Sequence, residues 1–132
     1  MASIVTKLHI KPGMKLALLN APVRQAKMFS DVPDECSVSR SATGKPDVVL
    51  LFVSTMKELE RKFPAALRLA KDDVPLWIGY PKQTGAVKSD LSRDRVWEHV
   101  SASGVRPVSI VALDNTWSLL RVRRKELVKS TR

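Results

Sequence analysis

The residues whose types and spacing best suit chemistry lie in one stretch, Pro81-Lys82-Gln-Thr84-Gly-Ala-Val-Lys88-Ser89-Asp90. Lys82 and Lys88 supply positive charge, Thr84 and Ser89 supply hydroxyls, and Gly85 gives the backbone freedom to bend around a group. Directly after it comes a helical pattern with Asp90 or Ser92 as N-cap, Arg93 in its first turn, and Val96, Trp97 and Val100 as its apolar positions. The first turn of a helix offers backbone N–H groups without intrahelical partners and the positive end of the helix dipole. Together these groups suit a phosphate or a carboxylate. A surface loop that only caps its helix explains the same residues equally well. Asp114 and Trp117, at the tip of a later hairpin, complete the candidate ligand-binding set of Lys82, Thr84, Lys88, Ser89, Asp90, Arg93, Asp114 and Trp117. A turn accounts for Asp114, and core packing is the ordinary role of a residue such as Trp117.

Other chemistry is poorly served. Asp90, Asp94 and Asp114 match no metal-ligand spacing, and no metal is expected. His9 and His99 have no Ser or Cys beside them in a nucleophilic pattern and read as solvated surface residues. Cys36 is the single cysteine, so no intramolecular disulfide can form, which suits a reducing cytoplasm. No catalytic residue can be named. Whether the chain is an enzyme is left open.

The candidate loop must be held by a scaffold, and apolar, β-branched runs between turn residues mark its strands. They are Lys15–Leu19, a weaker Cys36–Arg40, Val48–Val53, Leu76–Tyr80, Val108–Leu113 and Thr116–Arg123. Val48–Val53 is apolar on both faces, as in a strand covered on both sides of a parallel sheet. Thr55-Met-Lys-Glu58 is a capping box opening a helix with the stripe Met56, Leu59, Phe63, Leu67 and Ala70. Pro64 within it predicts a kink or break. A short helix over Val23–Phe29 and a helix from Ser92 or Asp90 to a stop at Gly104 complete the elements. Asp114-Asn115 suits a tight hairpin turn, so the last strand should run antiparallel to its neighbour, at the sheet's edge. The expected fold class is α/β: a three-layer, Rossmann-like, mostly parallel sheet of about five to six strands with a C-terminal antiparallel hairpin. Residues 1–123 form its single domain and 124–132 a basic, frayed tail.

The 132 residues suffice for one hydrophobic core, and the formal charge of +10 sits mostly at the ends. Residues 121–132 carry +5 and the first fifteen +3, leaving +2 for the body. The run Arg121-Val-Arg-Arg-Lys125 reads as a solvated strand edge that discourages edge-to-edge pairing. Charge without interleaved aromatic residues is a weak nucleic-acid signal. The longest purely apolar run, Val48 to Val53, is far short of the ~20 residues that cross a bilayer, and no signal-peptide pattern opens the chain. A cytoplasmic protein without membrane contact is therefore expected.

The turn after the first strand, Asn20-Ala-Pro-Val-Arg24, has no glycine, and Pro22 has no N–H to offer. A dinucleotide or P-loop site would need a glycine-rich turn there, so no cofactor is expected. Two resemblances follow. Leu76-Trp-Ile-Gly-Tyr-Pro-Lys82, Val87-Lys-Ser-Asp-Leu-Ser-Arg-Asp94 with Trp97-Glu98, Gly104-Val-Arg-Pro-Val108 and Val111-Ala-Leu-Asp-Asn-Thr-Trp-Ser-Leu-Leu-Arg121 resemble the bacterial domain of unknown function 3052 family. That likeness reaches back to Lys11-Pro-Gly-Met14 and Leu18-Leu-Asn-Ala-Pro22, and it implies no activity. More distantly, Leu8-His-Ile-Lys-Pro-Gly-Met-Lys-Leu-Ala-Leu-Leu19 resembles the entry strand of class I methyltransferases. The departure is Asn20-Ala-Pro22, which stands where those enzymes carry the glycine-rich loop that cradles S-adenosylmethionine.

The leading expectation is a non-enzymatic binding or regulatory module, holding a small anionic ligand or an acidic protein segment at the Lys82–Asp94 loop. The alternatives are a degenerate transferase-like enzyme with Asp114 or Asp90 as base, and weak nucleic-acid binding through the basic termini.

Overall fold

The computed structural model describes residues 8, 10–21, 27, 37–39, 44–70, 74–82, 91–113 and 116–124. Its strands are β1 (Lys15–Leu19), β2 (Ser37–Ser39), β3 (Val48–Phe52), β4 (Leu76–Pro81), β5 (Val105–Ala112) and β6 (Trp117–Arg124). They form one sheet in the order β2-β1-β3-β4-β6-β5. The first four run parallel, and β6 is antiparallel to both β4 and β5. The α/β, Rossmann-like architecture with a C-terminal hairpin is therefore present. One detail differs from expectation. The antiparallel strand lies inside the sheet, and β5 takes the edge. The interior position suits the residues of β6, since Trp117 through Leu120 and Val122 are all buried.

β3, buried at all five residues, divides its side chains between two cores. Val49 and Leu51 face a layer completed by helix α1 (Met56–Leu69) and helix α2 (Arg93–Ala102). Val48, Leu50 and Phe52 face the opposite layer, where Leu8 and Ile10 join Trp77, Trp117 and Leu119. The expected short helix over Val23–Phe29 lies, apart from Lys27, outside the described residues, as does Cys36.

Thr55 caps α1: its Oγ1 accepts from Glu58 N at 3.1 Å. Leu59, Phe63, Ala66 and Leu69 are the buried face of α1, with Met56 and Leu67 half-buried beside it. Pro64 does not end the helix, which continues through Leu69. It sits on the exposed face, where the carbonyl of Glu60 that it leaves without a partner can turn to water. At the far end the Arg124 Nη2 donates to Leu67 O at 3.0 Å and Ala70 O at 2.8 Å, closing the C-terminus of α1. Arg124, the first residue of the expected tail, is thus the last residue of β6; residues 125–132 lie outside the described ones.

The basic run that reads as a solvated strand edge lies, from Arg121 to Arg124, on an interior strand instead. The Nε of Arg121 is buried, and so is the Nε1 of its cross-strand partner Trp77. Among the described residues neither donor has an acceptor.

Candidate functional site

Parallel strands deliver their following loops to one rim of the sheet, and a ligand crevice opens where successive connections diverge. Here the chain leaves β1 for β2 on one side and returns to β3 on the other. The divergence therefore falls between the carboxyl ends of β1 and β3, at Asn20 and Ser54.

Asn20 has φ of 59°, a left-handed conformation that favours glycine and that Asn tolerates. Its Nδ2 donates to Phe52 O at 2.8 Å and to Glu58 Oε2 at 3.2 Å. The other oxygen of Glu58 accepts from Ser54 N at 2.7 Å and Ser54 Oγ at 2.8 Å. One carboxylate thereby ties the turn after β1 to the turn after β3 and to the start of α1. The reciprocal half of the capping box goes to Ser54 N, one residue earlier than the Thr55 N–H of the standard motif.

Burial pushes the Glu58 carboxyl up, but the hydrogen bonds from Ser54 and Asn20 and the charge of Lys62 outweigh it, so it titrates below its ordinary value. A carboxylate favoured in the folded state stabilises fully above the unfolded-state value, and that contribution fades as pH falls through the lower folded value. We predict that Glu58→Gln costs about 1–2 kcal/mol at neutral pH, a figure kept low because the group is partly solvated. The gap between variant and native protein should narrow as pH falls through and below the ordinary carboxylate range. Urea midpoints measured from neutral to acidic pH check this. A gap independent of pH would remove the charge from the explanation.

Lys82 opens the next connection along the same rim, directly after β4. It is half-buried, and its N–H donates to Thr116 O at 2.7 Å, fixing the exit of β4 against the entry to β6. Arg93 opens α2 behind its N-cap Ser92, whose Oγ accepts from Arg95 N at 3.2 Å. Ser92, not Asp90, is therefore the cap. The Arg93 Nε lies 3.9 Å from the carboxylate of Asp94, and both side chains are largely in solvent. Beneath this turn lies the buried Tyr80; burial pushes its phenol up, Arg93 opposes that and Asp94 adds to it, so the hydroxyl stays protonated at neutral pH.

Of the predicted site residues, Lys82 and Arg93 flank the connection from β4 to α2. Thr84, Lys88, Ser89, Asp90 and Asp114 lie outside the described residues. Trp117 takes the core role ordinary for such a residue: it is buried, with its ring centroid 5.6 Å from that of Phe52 in an edge arrangement, because β6 is interior and its first residue must fill the second core. Two neighbours of the site also depart from expectation. Trp97 is 46% exposed, since α2 needs only Val96 and Val100 to cover the sheet. His99 is half-buried with its ring 6.2 Å from Phe63, on the flank that meets α1. Among the described residues no cluster of potential metal ligands occurs, and no helix is long and apolar enough to cross a membrane.

Sequence reasoning did not join Asn20, Ser54 and Glu58 as a site. Glu58 was legible as a capping residue and Asn20 as a turn residue. Their partnership across thirty-eight positions depends on β1 and β3 being neighbours, which only the sheet order supplies.

The chain matches no protein-family model, and no curated protein matches it. The resemblance to the domain of unknown function 3052 family therefore rests on motifs alone. Solved structures do match. A SAM dependent methyltransferase from Aquifex aeolicus is similar with a TM-score of 0.62 and 14% identity, over 90% of this chain and 86% of that one. A ribosomal protein L11 methylase from Lactobacillus delbrueckii subsp. bulgaricus gives 0.56 and 12%, over 92% and 74%. A protein in the NADB-Rossmann superfamily from Streptococcus agalactiae gives 0.56 and 9%, over 98% and 71%. At these identities the likeness is one of fold alone, a Rossmann-like α/β fold resembling that of the methyltransferases among these structures.

Proposed function

We propose that this chain is a binding module built on a methyltransferase-shaped scaffold. It holds a small anionic ligand, or a carboxylate-rich segment of a partner, at the connection that Lys82 opens and Arg93 closes. The observation that supports this reading is the state of the divergence point itself. Asn20, with Pro22 two residues on, occupies the turn that a nucleotide cofactor would need to approach closely, and its amide is committed to Phe52 O and Glu58. Asn20, Ser54 and Glu58 satisfy one another there. Positive charge on the rim lies one strand further along, at Lys82, where a helix start adds its own attraction for anions.

The test is a titration of the full chain with inorganic phosphate, and separately with a glutamate-rich peptide, followed by amide chemical shifts. The Lys82→Ala, Lys88→Ala double variant should weaken whichever ligand binds by about tenfold or more, as expected for lost charge-assisted contacts. Unchanged affinity in that variant would reduce the loop to a structural cap. A second reading, a degenerate transferase-like enzyme, is favoured by the fold of the neighbours. It differs in requiring affinity for S-adenosylmethionine.

A further inference from the structure

The sheet ends at β5, whose outer side pairs with no described strand. An eight-residue edge strand exposes a row of backbone donors and acceptors, which proteins ordinarily blunt with charge, proline or a bulge. β5 carries these devices only in its first half, with Arg106, Pro107 and a register shift between Pro107 and Ser109. The second half, Val108-Ser-Ile-Val-Ala112, has no charge and no proline. Val108 is 40% and Ile110 48% exposed.

The apolar edge continues onto α2. Ile110 pairs with Leu120, which packs in the core beneath α1 and α2, so Ile110 points to the face that carries the helices. Trp97 follows the buried Val96 and lies on the flank of α2 away from His99, the residue that meets α1. That flank looks toward β5, since α1 packs over β3 and α2 over β5. A shallow hollow lined by Arg93, Asp94, Trp97, Glu98 and Ser101 runs along it.

We propose that this edge pairs with a second copy of the chain, β5 against β5 in antiparallel register, so that two sheets become one. A two-fold axis sets each residue against itself or its mirror position in the partner. With the axis at Ile110, Ile110 faces its own copy and Val108 faces Ala112. The pairing brings no like charges together, although the chain as a whole is strongly basic. The rim above it carries Arg93 with Asp94 and Glu98, both signs, so a second copy finds opposite charges there. An acidic partner finds no basic side chain between Pro107 and Leu113. The contact is one short strand and one tryptophan, which places the dimer at the weak, concentration-dependent end of interfaces.

The test is sedimentation equilibrium of the full chain over a concentration series. The native protein should move from one to two chain masses. Ile110→Lys, at an exposed position that leaves the core intact, sets two ammonium groups together at the axis. It should raise the dissociation constant by about a hundredfold. Val38→Lys, on β2 at the opposite edge of the sheet, should leave it unchanged, and circular dichroism should show both variants folded. A native chain that stays at one mass at every attainable concentration overturns the proposal. So does a dimer that survives Ile110→Lys or is split by Val38→Lys.

Discussion

Phe63→Ala is expected to lower the free energy of unfolding by about 3–5 kcal/mol, the range for emptying a buried aromatic site. Phe63 is 1% exposed at the middle of α1, between Leu59 and Ala66 on the face that covers the sheet. Its ring also meets His99 of α2 edge-on. It therefore joins three parts at once: the sheet, the helix that Glu58 anchors, and the helix that presents Arg93. Few other groups can close the resulting space, because its neighbours are held by the sheet on one side and by helix caps on the other. Since total stabilities of small domains run at about 5–15 kcal/mol, the variant should be close to unfolded under mild denaturant. Urea unfolding measures it directly: the midpoint should drop with an unchanged slope. A loss under about 1 kcal/mol would mean that α1 and α2 are not rigidly joined.

The second large effect comes from adding atoms. A Cβ on Gly79 would lie 2.8 Å from Phe52 Cδ2, 3.0 Å from Phe52 Cε2 and 3.1 Å from Leu119 Cδ2. Phe52 cannot swing away, being fully buried with Trp117 against it. Gly79→Ala should cost about 1–3 kcal/mol, and Gly79→Val more. The strain should reach the rim, since Phe52 O is the acceptor for the Asn20 amide and Gly79 O accepts from Val53 N. Amide shifts of Asn20 and Ser54 should move along with the loss of stability. Phe52→Leu should relieve part of the cost of Gly79→Ala, and thermal unfolding of the two single variants and the double variant measures that coupling. If the costs simply add, the ring is not what Gly79 makes room for.

Much of this arrangement can be read from residue order. The strand over Lys15–Leu19 has the bounds expected from Pro12-Gly13 and Asn20, and Thr55 and Ser92 cap their helices as hydroxyl residues before apolar stripes should. Gly104 adopts φ of 90° after α2, the stop that glycine provides. Periodicity and capping are local, so the sequence carries them. Long-range order is different. Nothing near Arg121 says that its strand is inserted between β4 and β5, which turns an expected solvated edge into an interior strand and buries Trp117. The exposure of Trp97 has the same origin: α2 lies over the end of the sheet, so its outer flank has nothing to cover. The loop residues Thr84, Lys88, Ser89 and Asp90 drew notice by type alone. Asn20, Ser54 and Glu58 were each legible for a local role, and their joint role appears only once β1 and β3 are side by side.

The central claim is that a methyltransferase-shaped fold here serves binding at the Lys82 connection, with its divergence point closed by Asn20 and Glu58. Isothermal titration of the full chain with S-adenosylmethionine tests it most directly. No saturable heat is predicted, for the native chain or for Glu58→Gln. Saturable one-to-one binding by the native chain, weakened by substitution of Asn20 or Glu58, would contradict the claim and return the chain to the transferases it resembles in fold.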